Sequence, residues 1–121
     1  MDFLGFLARP ALRDRLQAAA VFVCPSDYEG FPLVLLEALA CGAPVVSTRN
    51  GPLAEPGRFP VLLVEPDPEA LADGIVTILS QPAEAAERAL AARRVVEQRH
   101  SWERVVDALE EAYGVPRRLA A

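Results

Sequence analysis

Short apolar runs alternate with longer amphipathic stretches along this chain. The runs predict four buried strands, at residues 3–7, 20–24, 44–48 and 61–64. Helical spacing of apolar positions predicts helices over residues 10–20, 32–41, 68–79 and 83–99, and a last helix that begins after Ser101. Because the strand runs are continuously apolar, the pattern is typical of a parallel sheet with helices on both faces, an α/β fold.

The helix boundaries carry local signals. Asp67, Pro68 and Glu69 form a helix start, with an N-cap carboxylate, a proline in the first helical position and an acid in the first turn. Ser101 caps the last helix, whose apolar stripe we expect to pack in the core. The stripe comprises Trp102, Val105, Val106, Leu109 and Tyr113.

The composition is that of one globular domain. The chain has 121 residues, of which 52% are hydrophobic and 24% charged. Its net charge of −5 gives no support to nucleic-acid binding, and all twelve basic residues are arginine. No apolar run is long enough to span a bilayer, and no signal-peptide pattern is present, so we expect a cytoplasmic protein without a transmembrane segment.

Cysteine and histidine usage predicts no metal site. Cys24 and Cys41 lie in apolar stretches, so we expect buried, reduced thiols and no disulfide. His100 is the only histidine, and no cysteine–histidine pair has zinc spacing. We expect His100 at a helix end, where a cation suits the helix dipole. Ser26 and Ser47 lack a nearby histidine relay, which argues against a serine nucleophile.

Glu37 is the anomalous residue of the second helix, which is apolar almost all round and should be buried. A buried carboxylate is costly unless it is paired or hydrogen-bonded. It could therefore be structural, either paired with Arg49 or exposed in a slot on a buried helix. Ligands of a parallel sheet bind outside the carboxyl ends of its strands. We therefore expect the chemistry of this chain in the loops after Cys24, Thr48 and Val64.

Glu29 strengthens a functional interpretation of Glu37. Glu29 precedes the same helix, and the two carboxylates are separated by ~10–12 Å along an axis with a rise of ~1.5 Å per residue. The unpaired N–H groups of the helix start lie between them and form a phosphate site, which Gly30 allows a ligand to approach closely. This order of groups suits a sugar, a diphosphate and a ribose.

The stretch from Glu29 to Thr48 resembles the E-x7-E signature of the group 1 (family 4) glycosyltransferases. The resemblance rests on both glutamates, on the GFP and LLEALACG sequences and on the following PVV run. Later features occur in that family's usual order, namely Asn50-Gly51-Pro52, the strand run at 62–64, the helix start at Asp67 and the Ser101-Trp102 helix. The resemblance covers nearly the whole chain.

The resemblance implies part of the C-terminal, Rossmann-like donor-binding domain of a two-domain GT-B enzyme that transfers a hexose from a nucleotide-diphosphate sugar to an acceptor with retention. Glu29 would contact sugar hydroxyls as the catalytic-site residue, and Glu37 the ribose. Backbone groups around the helix start would meet the diphosphate and sugar. These are the groups of Gly30, Phe31, Pro32, Leu33 and Val34. Neither a metal nor another cofactor is implied, because cationic side chains and the helix dipole stabilise the departing diphosphate.

The sequence departs from the family in several respects. The usual arginine–lysine diphosphate clamp lies upstream of Met1, and the chain has no lysine. The acceptor-binding domain is also missing, the loop from Asn50 to Pro60 is short, and Pro60 replaces a common glycine. We therefore expect the isolated chain to bind donor without turnover. The alternatives are a truncated or stand-alone non-catalytic module that self-associates or pairs with the missing N-terminal half, and another GT-B enzyme such as an epimerase.

Overall fold

The chain folds as five helices and three strands in the part that the structure describes. A computed structural model describes residues 1–28, 30, 32–49 and 58–114. The elements in chain order are α1 (Arg9–Ala18), β1 (Phe22–Cys24), α2 (Leu33–Ala40), β2 (Val45–Thr48), β3 (Leu62–Val64), α3 (Pro68–Ser80), α4 (Pro82–Arg99) and α5 (Trp102–Ala112). The α/β class predicted from the apolar runs is confirmed.

The three strands form one parallel sheet in the order β1-β2-β3. In the register, Ser47 of β2 is paired with Cys24 of β1 on one side and with Leu63 of β3 on the other. All three strands run in the same direction, so their carboxyl ends meet at one edge of the sheet. The loops predicted to carry chemistry leave the sheet from that edge.

Helices cover both faces of the sheet, as the continuous apolar runs predict. Consecutive strand residues point to opposite faces, so Val45 joins one buried cluster and Val46 another. The Val45 cluster packs α1, α2 and α4 against the sheet, while the Val46 cluster packs α3. The Val45 cluster contains Leu16, Cys24, Leu35, Ala38, Leu39, Ala43, Phe59, Ala92 and Val96.

The strand predicted at residues 3–7 was wrong. The segment forms no strand, and Phe3 and Phe6 are 86% and 97% exposed. An apolar run becomes a strand only when a neighbouring strand satisfies its backbone hydrogen bonds. The run itself carries no information about whether such a partner lies beside it, and no described strand does.

The core position predicted for the apolar stripe of α5 was also wrong. Ser101 caps this helix as expected, accepting a hydrogen bond from the Arg104 backbone N–H at 3.4 Å. The stripe nevertheless faces outward, and Trp102 at its start is 81% exposed. Periodicity shows that one side of a helix is apolar, whereas the surface that covers it depends on packing.

The helix start at Asp67 is confirmed, and α3 packs closely on the sheet through Gly74. The Asp67 carboxylate accepts a hydrogen bond from the Ala70 backbone N–H at 2.9 Å. A Cβ atom at Gly74 would lie 2.9 Å from Cγ1 of Val46 and 3.1 Å from Cγ1 of Val64. Val46 is fully buried and β-branched, so it has little freedom to move away.

We therefore predict that Gly74→Ala lowers the free energy of unfolding, although alanine is the better helix former. Overpacking costs ~1–3 kcal/mol, whereas the gain in helix propensity is at most ~1 kcal/mol. Urea denaturation measures the net effect. Ala72→Gly, at an exposed position of α3, gives the difference in helix propensity between alanine and glycine without the packing contact. A Gly74→Ala protein more stable than the wild type would contradict the close packing.

Candidate functional site

The carboxyl edge of the sheet brings together the first residues of three loops. The chain leaves β1 at Cys24 and passes through Ser26 toward α2, and it leaves β2 at Thr48 and β3 at Val64. The Arg49 backbone N–H donates to the Val64 carbonyl at 2.9 Å, which joins the second and third exits. This edge is the predicted location for a ligand of a parallel sheet.

Two buried hydroxyl groups tie the first exit to the second. The Ser47 hydroxyl donates to the Cys24 carbonyl at 3.3 Å, and the Thr48 hydroxyl lies 3.4 Å from the same oxygen. The Thr48 hydroxyl also donates to the Ser26 carbonyl. Sequence reasoning considered Ser26 and Ser47 only as nucleophiles and missed this role. The available signal was a pair of hydroxyl residues ending an otherwise apolar strand.

Glu37 lies on the exposed side of α2, not in the core. Only the Leu35, Ala38 and Leu39 side of this helix is buried, while Leu33 and Val34 are exposed. The expectation that α2 is buried almost all round was therefore wrong. Its apolar composition does not distinguish a side facing the sheet from a side facing an open groove.

The alternative pairing of Glu37 with Arg49 is not what the structure shows. Arg49 instead lies near Glu65, with its Nε atom 3.6 Å from the carboxylate and both side chains exposed. Such an exposed, long ion pair contributes little to stability. Glu37 is therefore exposed on a half-exposed helix, and its carboxylate is accessible to a ligand.

The first turn of α2 leaves backbone donors toward the edge of the sheet. Its N-cap residue is Pro32, which is buried and forms no side-chain cap hydrogen bond. Proline has no N–H, so the helix donors begin at Leu33 and continue at Val34. A Cβ at Gly30 would meet no heavy atom within 4 Å, so the space beside that backbone is open within the described structure.

Two of the predicted donor-site residues, Glu29 and Phe31, lie outside the described residues. Of the remaining ones, Gly30, Leu33, Val34 and Glu37 are exposed, whereas Pro32 is buried. Their roles toward sugar, diphosphate and ribose stay predictions.

Glu37 borders an open groove of about 630 Å³ between α1, α2 and the junction of α4 with α5. The groove is apolar at its base, where Leu12, Leu16 and Val96 lie, and Trp102 and Val105 of α5 form one wall. Three arginines also border it, Arg9, Arg13 and Arg99. The i, i+4 spacing of Arg9 and Arg13 was the signal that they share a side of the helix.

His100 lies at the C-terminal end of α4, as predicted, and also borders the groove. Its ring packs on Phe59 with the ring centroids 5.5 Å apart. Desolvation by this packing lowers the pKa of His100 below its usual value, and the charges of Arg58 and Arg99 lower it further. The sequence predicts a cation at this helix end, but the lowered pKa leaves the imidazole of His100 neutral at neutral pH.

The described residues hold no cluster of three histidine, cysteine or acidic side chains that could bind a metal ion. Cys24 and Cys41 are free thiols; Cys24 is buried and Cys41 half-buried. Among the described helices, none has the length and apolar character needed to cross a membrane.

Comparison with known proteins agrees with this arrangement. A family model described as "Glycosyl transferases group 1" matches residues 1–81, which include the sheet, α2 and α3. The chain belongs to the group 1 glycosyltransferases. Its fold is that of the Rossmann-like C-terminal domain of a GT-B enzyme.

Individual glycosyltransferases match most of the chain. A glycogen synthase of Mycobacterium tuberculosis is 37% identical over 92% of this chain and 28% of its own length. A D-inositol 3-phosphate glycosyltransferase of Saccharomonospora viridis is 42% identical over 80% of this chain and 23% of its own length. The structure of a sucrose-phosphate synthase from Thermosynechococcus elongatus superposes with a TM-score of 0.84 at 35% identity, covering 93% of this chain and 29% of the other.

The chain thus spans less than a third of the length of these glycosyltransferases, since the largest of the three shares is 29%. The family match over residues 1–81 contains the E-x7-E stretch, whereas the α4 and α5 residues of the groove lie beyond it.

The lowered pKa of His100 can be measured without overlap, because His100 is the only histidine of the chain. We expect the imidazole protons to titrate below pH 6.5, and Arg58→Ala to raise the pKa toward that value. The unfolded histidine binds a proton more readily, so the free energy of unfolding should fall as the pH drops through the unfolded pKa toward the folded one. Proton NMR gives the pKa directly, and a titration at or above 6.5 would contradict the assigned environment.

Proposed function

We propose that this chain is the donor-binding part of a hexosyltransferase that uses a nucleotide-diphosphate sugar and retains anomeric configuration. The observation that carries the proposal is the exposed Glu37 carboxylate, about one turn beyond the start of a helix whose first turn has uncapped backbone donors at the carboxyl edge of a parallel sheet. The family membership gives this geometry its chemistry.

The chemical roles follow the order of groups along α2. The first-turn N–H groups and the helix dipole favour the negative charge of a diphosphate. Glu37 accepts hydrogen bonds from ribose hydroxyls on one side, and Glu29 accepts them from the transferred sugar on the other. Glu29 is the residue nearest the reacting carbon in this arrangement. In this proposal the backbone groups of Gly30, Phe31 and Pro32 contact the sugar and the diphosphate.

The isolated chain supplies only part of the enzyme in this proposal. The chain contains no lysine, so a lysine of the diphosphate clamp has to come from outside these residues. The relatives are more than three times as long, and we propose that their remaining length corresponds to the acceptor-binding domain and the start of the donor domain. The nucleotide base, the sugar and the acceptor are determined there and in the loops.

Titration with nucleoside diphosphates tests the ribose contact. We expect Glu37→Ala to weaken binding by ~1–3 kcal/mol, the cost of losing a hydrogen bond to a charged group. Isothermal calorimetry with ADP, GDP and UDP gives the difference. Glu84→Ala on α4 is a control, because that exposed glutamate pairs with Arg88 away from the groove.

Equal affinities of the wild type and Glu37→Ala would refute the ribose role.

The same preparation tests the incompleteness of the chain. We expect binding by these 121 residues without sugar transfer or donor hydrolysis, because the proposal places the clamp and the acceptor wall in other parts of the enzyme. Turnover at ordinary enzyme rates would overturn that part of the proposal.

A second candidate is a non-catalytic module that associates with its own copy, and the exposed stripe of α5 favours it. Trp102 and Val105 belong both to this stripe and to the wall of the groove. The polar positions of α5 carry the acids Glu103, Asp107, Glu110 and Glu111 against a single arginine, Arg104. The groove carries three arginines. Two copies that pack α5 against α5 would cover both apolar surfaces and bring these opposite charges together.

For this candidate we expect sedimentation velocity to show a dimer that Leu109→Asp converts to a monomer, because a carboxylate cannot be buried there without cost. Val76→Asp, an equally drastic change at an exposed position of α3, should leave the dimer intact. A wild-type chain that sediments as a monomer at ordinary laboratory concentrations would exclude self-association.

A further inference from the structure

The two hydroxyls at the end of β2 are the most deeply buried polar side chains of the described structure. Ser47 is 0% exposed and Thr48 1% exposed, in a strand whose preceding residues are two valines. Burying a hydroxyl costs free energy unless it forms hydrogen bonds, and valine has nearly the shape of threonine. Packing therefore does not account for Thr48, and its hydrogen bonds do.

Those hydrogen bonds extend the contact between β1 and β2 beyond the strands. Regular pairing of β1 ends at Cys24, which is paired with Ser47. The Thr48 hydroxyl donates to the carbonyl of Ser26, two residues further along, and lies 3.4 Å from the Cys24 carbonyl. The side chain of Thr48 thus sets the direction in which the main chain leaves the sheet.

The segment that leaves there is the donor loop. It starts at Ser26, passes through Gly30 and ends at Pro32, whose carbonyl accepts the Leu36 N–H at 3.1 Å. Thr48 holds its beginning, and the buried Pro32 with α2 holds its end. A loop anchored at both ends loses less conformational entropy when a ligand orders it.

We propose that Thr48 is a positioning residue of the donor site, assisted by Ser47, and that it fixes the start of the loop between β1 and α2 at Ser26. The inference rests on the proposed donor-binding function. It assigns no contact between Thr48 and the ligand, since Thr48 is buried. Its effect concerns the sugar and diphosphate end of the donor more than the ribose held by Glu37.

Two substitutions separate the hydroxyl from the shape of Thr48. Thr48→Val keeps the branched shape and removes the hydroxyl, whereas Thr48→Ser keeps the hydroxyl and removes a methyl group. With UDP-glucose, ADP-glucose and GDP-mannose as probes, we expect Thr48→Val to bind about three- to tenfold more weakly, the factor for one lost hydrogen bond. Thr48→Ser should stay within about twofold of the wild type, and uridine, adenosine and guanosine should bind both variants equally.

Backbone amide exchange of the free protein gives a readout that needs no ligand. We expect the Gly30 amide to exchange faster in Thr48→Val than in the wild type and in Thr48→Ser, while the amide of buried Ile78 in α3 is unchanged. Ser47→Ala, which removes the neighbouring hydroxyl, should give a smaller change of the same sign. This variant also covers the case in which Thr48→Val does not fold.

The outcomes separate this inference from the function on which it rests. A wild type that binds none of the probes refutes donor binding, while the Gly30 exchange still tests the loop. A wild type that binds, with a Thr48→Val variant of equal affinity and equal Gly30 exchange, overturns the positioning role. Equal weakening in Thr48→Ser and Thr48→Val would assign the effect to packing and overturn it as well.

Discussion

β2 is the central strand of the sheet, and all four of its side chains are buried. Its alternation places Val45 under α2 and α4 and Val46 under α3, so one strand joins the two apolar clusters. Removing apolar surface from water on both faces is the main favourable contribution to folding here. β1, β3 and α3 contact this strand directly, and α1 and α4 pack on α2.

The same strand changes character at its carboxyl end. After two valines come Ser47 and Thr48, whose hydroxyls bind carbonyls at the exit of β1. The transition from apolar to hydrogen-bonding side chains lies where the sheet ends and the loops toward α2 begin. Under the proposed donor-binding function, stability and ligand geometry therefore depend on adjacent residues of one strand.

The sequence predicted most of the elements because their signals are local. The Asp67 carboxylate caps α3, and continuous apolar runs form the three paired strands. The E-x7-E stretch indicated the family before any geometry was known. Glu37 was identified as anomalous from the same stretch, although its exposure and its place beside the arginines of the groove were not evident. Those features depend on how α1 and α4 pack against α2, which no local pattern contains.

The amino-acid sequence by itself determined the α/β class, the helix starts and the glycosyltransferase family, and it indicated the candidate residues of the proposed donor site. Only the tertiary structure decided which apolar surfaces are covered. Residues 3–7 and the stripe of α5 have the composition of buried elements, yet they are exposed because no described element packs over them. Apolarity is a property of the residues, whereas burial also requires a partner surface at the right distance, and that depends on the arrangement of the chain in space.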